Sequence, residues 1–199
     1  MEISIRNANS TDLPWIISLL REGASQGHFA STVKQQASHI ATYILNNGII
    51  PMMKVRDGSL RPVTIPAYIK VAEIDGLPAS FLLCLVENSE IELHLAGTIK
   101  SQRRKGCFRK LVANEIHDNP TASRIYARCY TKSTHAKAAF EKEGFEITKA
   151  GDPYELTWQR PILRAVTEQN ERHQLASNRL WSWIANLFKR LESLMPKSK

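Results

Sequence analysis

The sequence predicts an α+β domain on a mixed, mostly antiparallel sheet, and three observations carry that prediction. Two apolar runs, residues 68–74 and 80–86, flank Asp75-Gly76, a dipeptide suited to a two-residue hairpin, and a third run at 91–98 extends them into an antiparallel meander. A helical pattern then leads to another strand at 124–130. A right-handed crossover makes the strands on either side of that helix parallel. After Arg160-Pro161 the composition shifts, which divides the chain into a domain at 1–160 and a helical C-terminal extension at 161–199.

The elements follow in order. Residues 3–7 read as a first strand, and Ser10 or Thr11 with Asp12 and Pro14 opens a helix carrying Ile16, Ile17 and Leu20. Residues 23–31 break that pattern. A second helix over 32–46 places Val33, Ala37, Ile40, Ala41 and Ile44 on one face, and Gly48 ends it. Residues 51–66, with several prolines, read as a connection that turns at Asp57-Gly58. Beyond the strand at 124–130 come a helix at 134–143 and two short strands at 145–148 and 154–158.

Residues 90–109, EIELHLAGTIKSQRRKGCFR, concentrate the chemistry. Strand alternation sends Ile91, Leu93 and Leu95 one way and Glu92, His94, Ala96 and Thr98 the other, so one face is core and the other carries ionisable groups. Arg103, Arg104, Lys105 and Gly106 precede a helix with Phe108, Leu111, Val112 and Ile116 at helical spacing. Unpaired amides at a helix start, its positive dipole end and a glycine that admits a ligand to the backbone together suit a pyrophosphate. The spacing and ending of a Walker phosphate loop are absent.

These residues resemble the GNAT superfamily of acyl-CoA-dependent N-acetyltransferases. Arg103-Arg104-Lys105-Gly106-Cys107-Phe108 is similar to the family's CoA signature, an Arg or Gln, two residues, Gly, one residue, then Gly or Ala, with Phe108 in place of the small residue. The segment from Ser133 through Ala136 and Phe140 to Glu141-Lys142-Glu143-Gly144-Phe145 is similar to a later family element; there Ser133 stands for an Asn and Phe140 for a Tyr. The resemblance covers roughly residues 1–160. It implies a GNAT-like sheet with helices on both faces, splayed where the strands at 91–98 and 124–130 part, and acetyl-CoA as co-substrate. On it, cofactor contacts fall on Thr98, on Ile99 and Lys100, these two placed to pair with the pantetheine arm through their main chain, on Arg103 to Phe108 at the pyrophosphate, and on Ser133, Ala136 and Phe140.

The resemblance also implies transfer of an acetyl group to a primary amine. Glu92, fourteen residues before Gly106, is the base candidate; the alternative is a solvated charge. His94 either relays the proton through water or is a structural histidine. Phenylalanine at 140 has no proton to give, so Tyr130, Cys129 and Ser133 are substitute acids. Alternatively no acid is needed, because a CoA thiolate leaves tolerably near neutral pH. His28 and Phe29 either shape the acceptor pocket or pack.

Bulk properties bound the rest. The 199 residues are 43% hydrophobic and 23% charged, the profile of one compact domain with an appendage. Cys84, Cys107 and Cys129 lie far apart with no CxxC pair, and no leader segment is evident, which argues against a disulfide framework or a metal site and favours a reducing cytoplasm. The net charge of +8 divides into +4 for residues 1–160 and +4 for the much shorter 161–199. That balance favours an anionic partner (CoA, nucleic acid or an anionic membrane surface) or simply solubility.

From Leu180 to Met195 the apolar residues fall within an arc of about 160° at helical spacing. This amphipathic helix is expected to dock on the domain or to form a homo-oligomer or protein-partner interface; a membrane-surface helix is the runner-up and nucleic-acid binding the third reading. Three alternatives to an amine N-acetyltransferase remain: acyl-CoA binding without turnover, a targeting or interaction protein, and an enzyme acting on aminoacyl-tRNA or another nucleic-acid-linked amine.

Overall fold

The computed structural model describes residues 1–159; the extension at 161–199 and its amphipathic helix lie outside the described residues. Eight strands form one sheet. They are β1 (Ile3–Asn7), β2 (Ile49–Arg56), β3 (Ser59–Ile74), β4 (Leu77–Glu87), β5 (Glu90–Thr98), β6 (Arg124–Cys129), β7 (Phe145–Lys149) and β8 (Tyr154–Trp158). The order is β1-β3-β4-β5-β6-β8-β7, with β2 paired to β3 beyond this path. All neighbours are antiparallel except β5 and β6, as the crossover rule requires.

The helices α1 (Leu13–Ser25), α2 (Thr32–Asn47), α3 (Cys107–Asp118) and α4 (Thr134–Lys142) divide between two cores. Ile16, Leu20 and Ala24 of α1 and Val33, Ala37, Ile40, Ala41 and Ile44 of α2 pack on Val71, Phe81, Leu83 and Leu95. On the opposite face Leu111 and Val112 of α3 and Phe140 of α4 pack on Leu82, Cys84, Ile91, Leu93 and Ile125. The sheet is thus covered on both sides.

Three local readings are corrected. Neither Ser10 nor Thr11 caps a helix here: Ser10–Asp12 form a 3-10 turn that leads into α1, capped by Asn9, whose side chain accepts from the Thr11 amide at 2.9 Å while Asp12 reaches back to the Asn9 amide in a capping box. Asp12 is also gripped by Arg6 at 2.6 and 3.0 Å, which ties β1 to the helix start.

Residues 51–66 are not an irregular connection but the hairpin β2–β3, turning at Asp57-Gly58, both with positive φ. Prolines fit there because a two-stranded arm leaves each strand one edge that needs no donor. Finally, α3 buries Glu115 completely, which the apolar spacing does not predict, while Ile116 packs half-buried against the α3–α4 core. Glu115 Oε2 accepts from the Tyr68 hydroxyl and from Asn119 Nδ2 at 3.2 Å, while Oε1, without a hydrogen bond, is paired in charge with Lys70 Nζ at 3.1 Å. Burial here follows the pairing of a charge, not hydropathy.

Candidate active site

The site begins where two parallel strands part. β5 and β6 pair from Glu90 with Arg124 to Leu93 with Ala127, and no further. Past that point β5 stays on β4 and β6 stays on β8, leaving a fork between them.

A β-bulge marks the same place. Leu83 of β4 faces Leu95 and Cys84 faces Leu93, so His94 is an extra residue in the ladder. The bulge overturns the simple alternation: Ile91 and Leu93 lie in the α3–α4 core, whereas Leu95 lies in the α1–α2 core. Two positions on, Gly97 leaves room for α1. A Cβ there would sit 2.7 Å from the Phe81 ring and 3.2 Å from Leu19.

Glu92 is 3% exposed and fully engaged. Oε1 accepts from His94 Nδ1 at 2.6 Å and from Arg128 Nη2 at 2.8 Å and Nε at 3.2 Å. Oε2 accepts from Arg128 Nη2 at 2.7 Å and from the Tyr126 hydroxyl at 3.1 Å. Burial alone would raise the carboxyl pKa, but the hydrogen bond and charge of His94 and the Arg128 guanidinium outweigh it and hold it at about 2. Tyr126 is pushed the other way, above the usual phenol range, by burial and by the Glu92 charge.

Tyr126 and Arg128 were not singled out from the sequence, because only the register of β5 on β6 brings them to Glu92. In the parallel pairing Tyr126 stands directly opposite Glu92, and Arg128 follows two residues later on the same face. Tyr130 lies outside this cluster, on the turn after β6, where its carbonyl accepts from the Ser133 amide at 2.8 Å.

The basic turn lies at the far end of β5. Arg104 and Gly106 both have positive φ, 67° and 87°, which curls the chain so that the amides of α3's first turn face outward. The first intrahelical bond runs from the Lys110 amide to the Gly106 carbonyl at 2.9 Å, so Gly106 to Arg109 have amides with no helical acceptor. A Cβ at Gly106 would meet nothing within 4 Å. The space over this backbone is open.

Arg103 bonds the Thr98 carbonyl at 3.3 Å and Glu22 of α1 at 3.1 Å at the surface, and Arg104 and Lys105 beside it are exposed as well. Cys107 is buried under the turn with its thiol pKa raised by desolvation.

The expectation that Ile99 pairs with an extended ligand is narrowed. Its amide is already bonded to the Ala79 carbonyl at 2.9 Å, and Lys100 opens a 3-10 turn. Thr98 bonds through its hydroxyl to Ser80 at 2.9 Å.

Phe108 points under α3, where its ring meets Phe140 edge-on at 5.2 Å; Phe140 in turn lies 5.0 Å from Phe145. Ala136 packs beneath α4 against the same core. Phe140 is buried, so the position of the family tyrosine is filled by hydrocarbon.

The roof of the fork comes from the loop between α1 and α2. His28 Nδ1 lies 3.1 Å from the Ser133 hydroxyl, and Lys132 packs close to Gly27. On the same turn after β6, the Thr131 amide donates to Asp152 at 2.9 Å. Among the described residues no group of three or more His, Cys, Asp or Glu is placed to hold a metal, and no helix is long and apolar enough to cross a membrane.

No family model matches the sequence, and no curated protein matches it. Solved structures do match in fold. The PaiA N-acetyltransferase of Thermoplasma acidophilum, determined in complex with coenzyme A, is similar with a TM-score of 0.58 at 14% identity, over 80% of this chain and 100% of that one. An acetyltransferase of the GNAT family from Staphylococcus aureus Mu50 gives 0.57 at 14%, over 79% and 98%. The ribosomal-protein-S18-alanine N-acetyltransferase of Escherichia coli gives 0.52 at 15%, over 78% and 91%. Residues 1–159 therefore share the fold of these solved structures, a mixed sheet forked between β5 and β6. The solved proteins that share it are acetyltransferases, one of them described as of the GNAT family.

Proposed function

We propose that the protein is an N-acetyltransferase that moves an acetyl group from acetyl-CoA to a primary amine. The observation that carries this reading is the alignment of three features along β5: an open anion-receptive turn at Arg103 to Phe108, a fork beside the strand, and an acid–base pair, Glu92 and His94, at its crotch. The turn fits a pyrophosphate because it offers outward amides, the positive end of α3 and the exposed charges of Arg104 and Lys105. A neighbour in fold was solved with coenzyme A, which supports the same ligand here.

The chemistry follows from placement. The thioester, laid along the fork, brings its carbonyl carbon towards Glu92 and His94, and the amine enters beneath the α1–α2 loop. The amine nitrogen attacks, the C–S bond breaks, and CoA leaves as a thiolate whose thiol pKa is near that of a cysteine, about 8.5. Tyr130, on the turn beyond the fork, is the candidate to hydrogen-bond that sulfur. A leaving group of this quality needs little help, in keeping with hydrocarbon at position 140.

Binding of acyl-CoA without turnover is the second reading, and Phe140 favours it. An acceptor carried on aminoacyl-tRNA is a narrower version, in keeping with the net charge of +8. The test is direct. Purified protein is incubated with labelled acetyl-CoA and a panel comprising a polyamine, a lysine peptide, a peptide with N-terminal alanine and an aminoacyl-tRNA. Transfer to a primary amine is expected; binding of CoA with no transfer to any member supports the non-catalytic reading instead.

A further inference from the structure

We infer that Nε2 of His94 receives the proton of the attacking amine, and that Glu92 is a fixed anion, held by Arg128, whose task is to orient that imidazole. This inference rests on the acetyltransferase reading and divides the labour within its acid–base pair.

The argument starts from donor and acceptor inventory. An ionised carboxylate only accepts, so the 2.6 Å contact between Glu92 Oε1 and His94 Nδ1 requires the proton to sit on Nδ1. In the neutral ring Nε2 then carries the lone pair. Both Glu92 oxygens are already occupied, Oε1 by His94 and Arg128 and Oε2 by Arg128 and Tyr126, and the group is buried. A substrate proton has no route to it and little affinity for it. His94, by contrast, keeps 22% of its side chain exposed and stands on the bulge at the fork. Bulges of this kind re-aim a side chain beside a cleft.

The charged and titratable groups around the pair are Glu92 itself on β5 and Tyr126 and Arg128 on β6, with Glu90 of β5 acting on Tyr126 and Glu155 of β8 acting on Arg128 through their charges. Arg128 is a positioning residue. Its guanidinium keeps Glu92 ionised at neutral pH, and the ionised form is the one that fixes the histidine tautomer. In the transfer step the N–C bond forms, the C–S bond breaks with its electron pair going to sulfur, and one proton passes from nitrogen to Nε2. The imidazolium so formed faces the Glu92 carboxylate, which stabilises it. Release of that proton to solvent, and uptake of one by the thiolate, restores the enzyme.

Nitrogen-15 NMR of histidine-labelled full-length protein, without substrate, reads the first half of the inference. Expected is a His94 ring protonated at Nδ1 and bare at Nε2, and in Glu92→Gln a mixture of tautomers. A ring protonated at Nε2 in the wild type overturns the assignment. Steady-state kinetics with the fastest amine of the panel reads the second half. His94→Gln lowers kcat about 100-fold or more and abolishes the acidic limb of the pH profile. Arg128→Met leaves Glu92 buried without its counter-charge, which moves that limb to higher pH, and Arg128→Lys moves it back.

If His94→Gln keeps the wild-type kcat and pH profile, the base assignment fails while the acetyltransferase function stands. If no amine is acetylated by wild type although the tautomer is as expected, the functional reading fails and the base assignment with it.

Discussion

The hydroxyl of Ser133 sits 3.1 Å from Nδ1 of His28 and makes no cap to the helix it precedes, although Ser133 occupies the N-cap position of α4. A serine there ordinarily satisfies one of the helix's own amides. Its use across 105 residues of chain instead binds the α1–α2 loop to the turn after β6. With Arg103 holding Glu22 at 3.1 Å, the roof of the fork is fastened on both strands' sides.

A double-mutant cycle tests this fastening. His28→Ala, Ser133→Ala and the double variant are each expected to lose about 1 kcal/mol in urea denaturation, the scale of one part-buried hydrogen bond. Strictly additive losses would show that the two side chains do not support each other.

The phosphate turn makes a second prediction. Gly106 has φ of 87°, so Gly106→Val is strained in backbone, and its new side chain fills the open space above the turn. CoA affinity by calorimetry should drop far more than for Arg104→Ala, which removes one exposed charge. Equal affinities in wild type and Gly106→Val would remove the site from this turn.

Glu92 ties stability to pH. Its folded-state pKa is depressed, to about 2 from an ordinary 4.5, so its stabilisation is present above pH 4.5 and lost as pH falls towards 2. The shift corresponds to a difference on the order of 3 kcal/mol. Asp12 and Asp118, also held below the usual carboxylate range by Arg6 and Lys70, lose stabilisation in the same direction. Comparison with Glu92→Gln cancels their share. The stability gap between the two proteins in urea should close as pH falls from 4.5 towards 2; a gap independent of pH over that range would contradict the ion pair.

Much of this arrangement is legible in the sequence, and the failures have physical causes. The meander was marked by Asp75-Gly76, and the parallel pair by a helix lying between two strands. The bulge at His94 was not, because one inserted residue leaves the apolar run intact while moving Leu95 into the other core. Hairpin β2–β3 was hidden by Pro51, Pro62 and Pro66, which are poor strand residues except at an open edge. Arg128 was missed for another reason. Its partner lies 36 residues away, and only the register of β5 on β6 brings the two together.

Phe108 and Phe140 form the last testable pair. Each departs from the family pattern, and the two rings meet edge to face with centroids 5.2 Å apart. The larger residue at 108 occupies the space beneath α3, and the ring at 140, 3% exposed and 5.0 Å from Phe145, lies within a buried aromatic cluster into which a hydroxyl would be introduced. Phe140→Tyr alone is therefore expected to lower stability by about 1 to 3 kcal/mol, through crowding and an unpaired buried hydroxyl, without raising kcat. Adding Phe108→Ala opens the space next to the ring. In the double variant the tyrosine should cost less than it does alone, measured against Phe108→Ala by thermal denaturation. A tyrosine tolerated at 140 with no loss of Tm, whatever stands at 108, would mean that the two departures are independent.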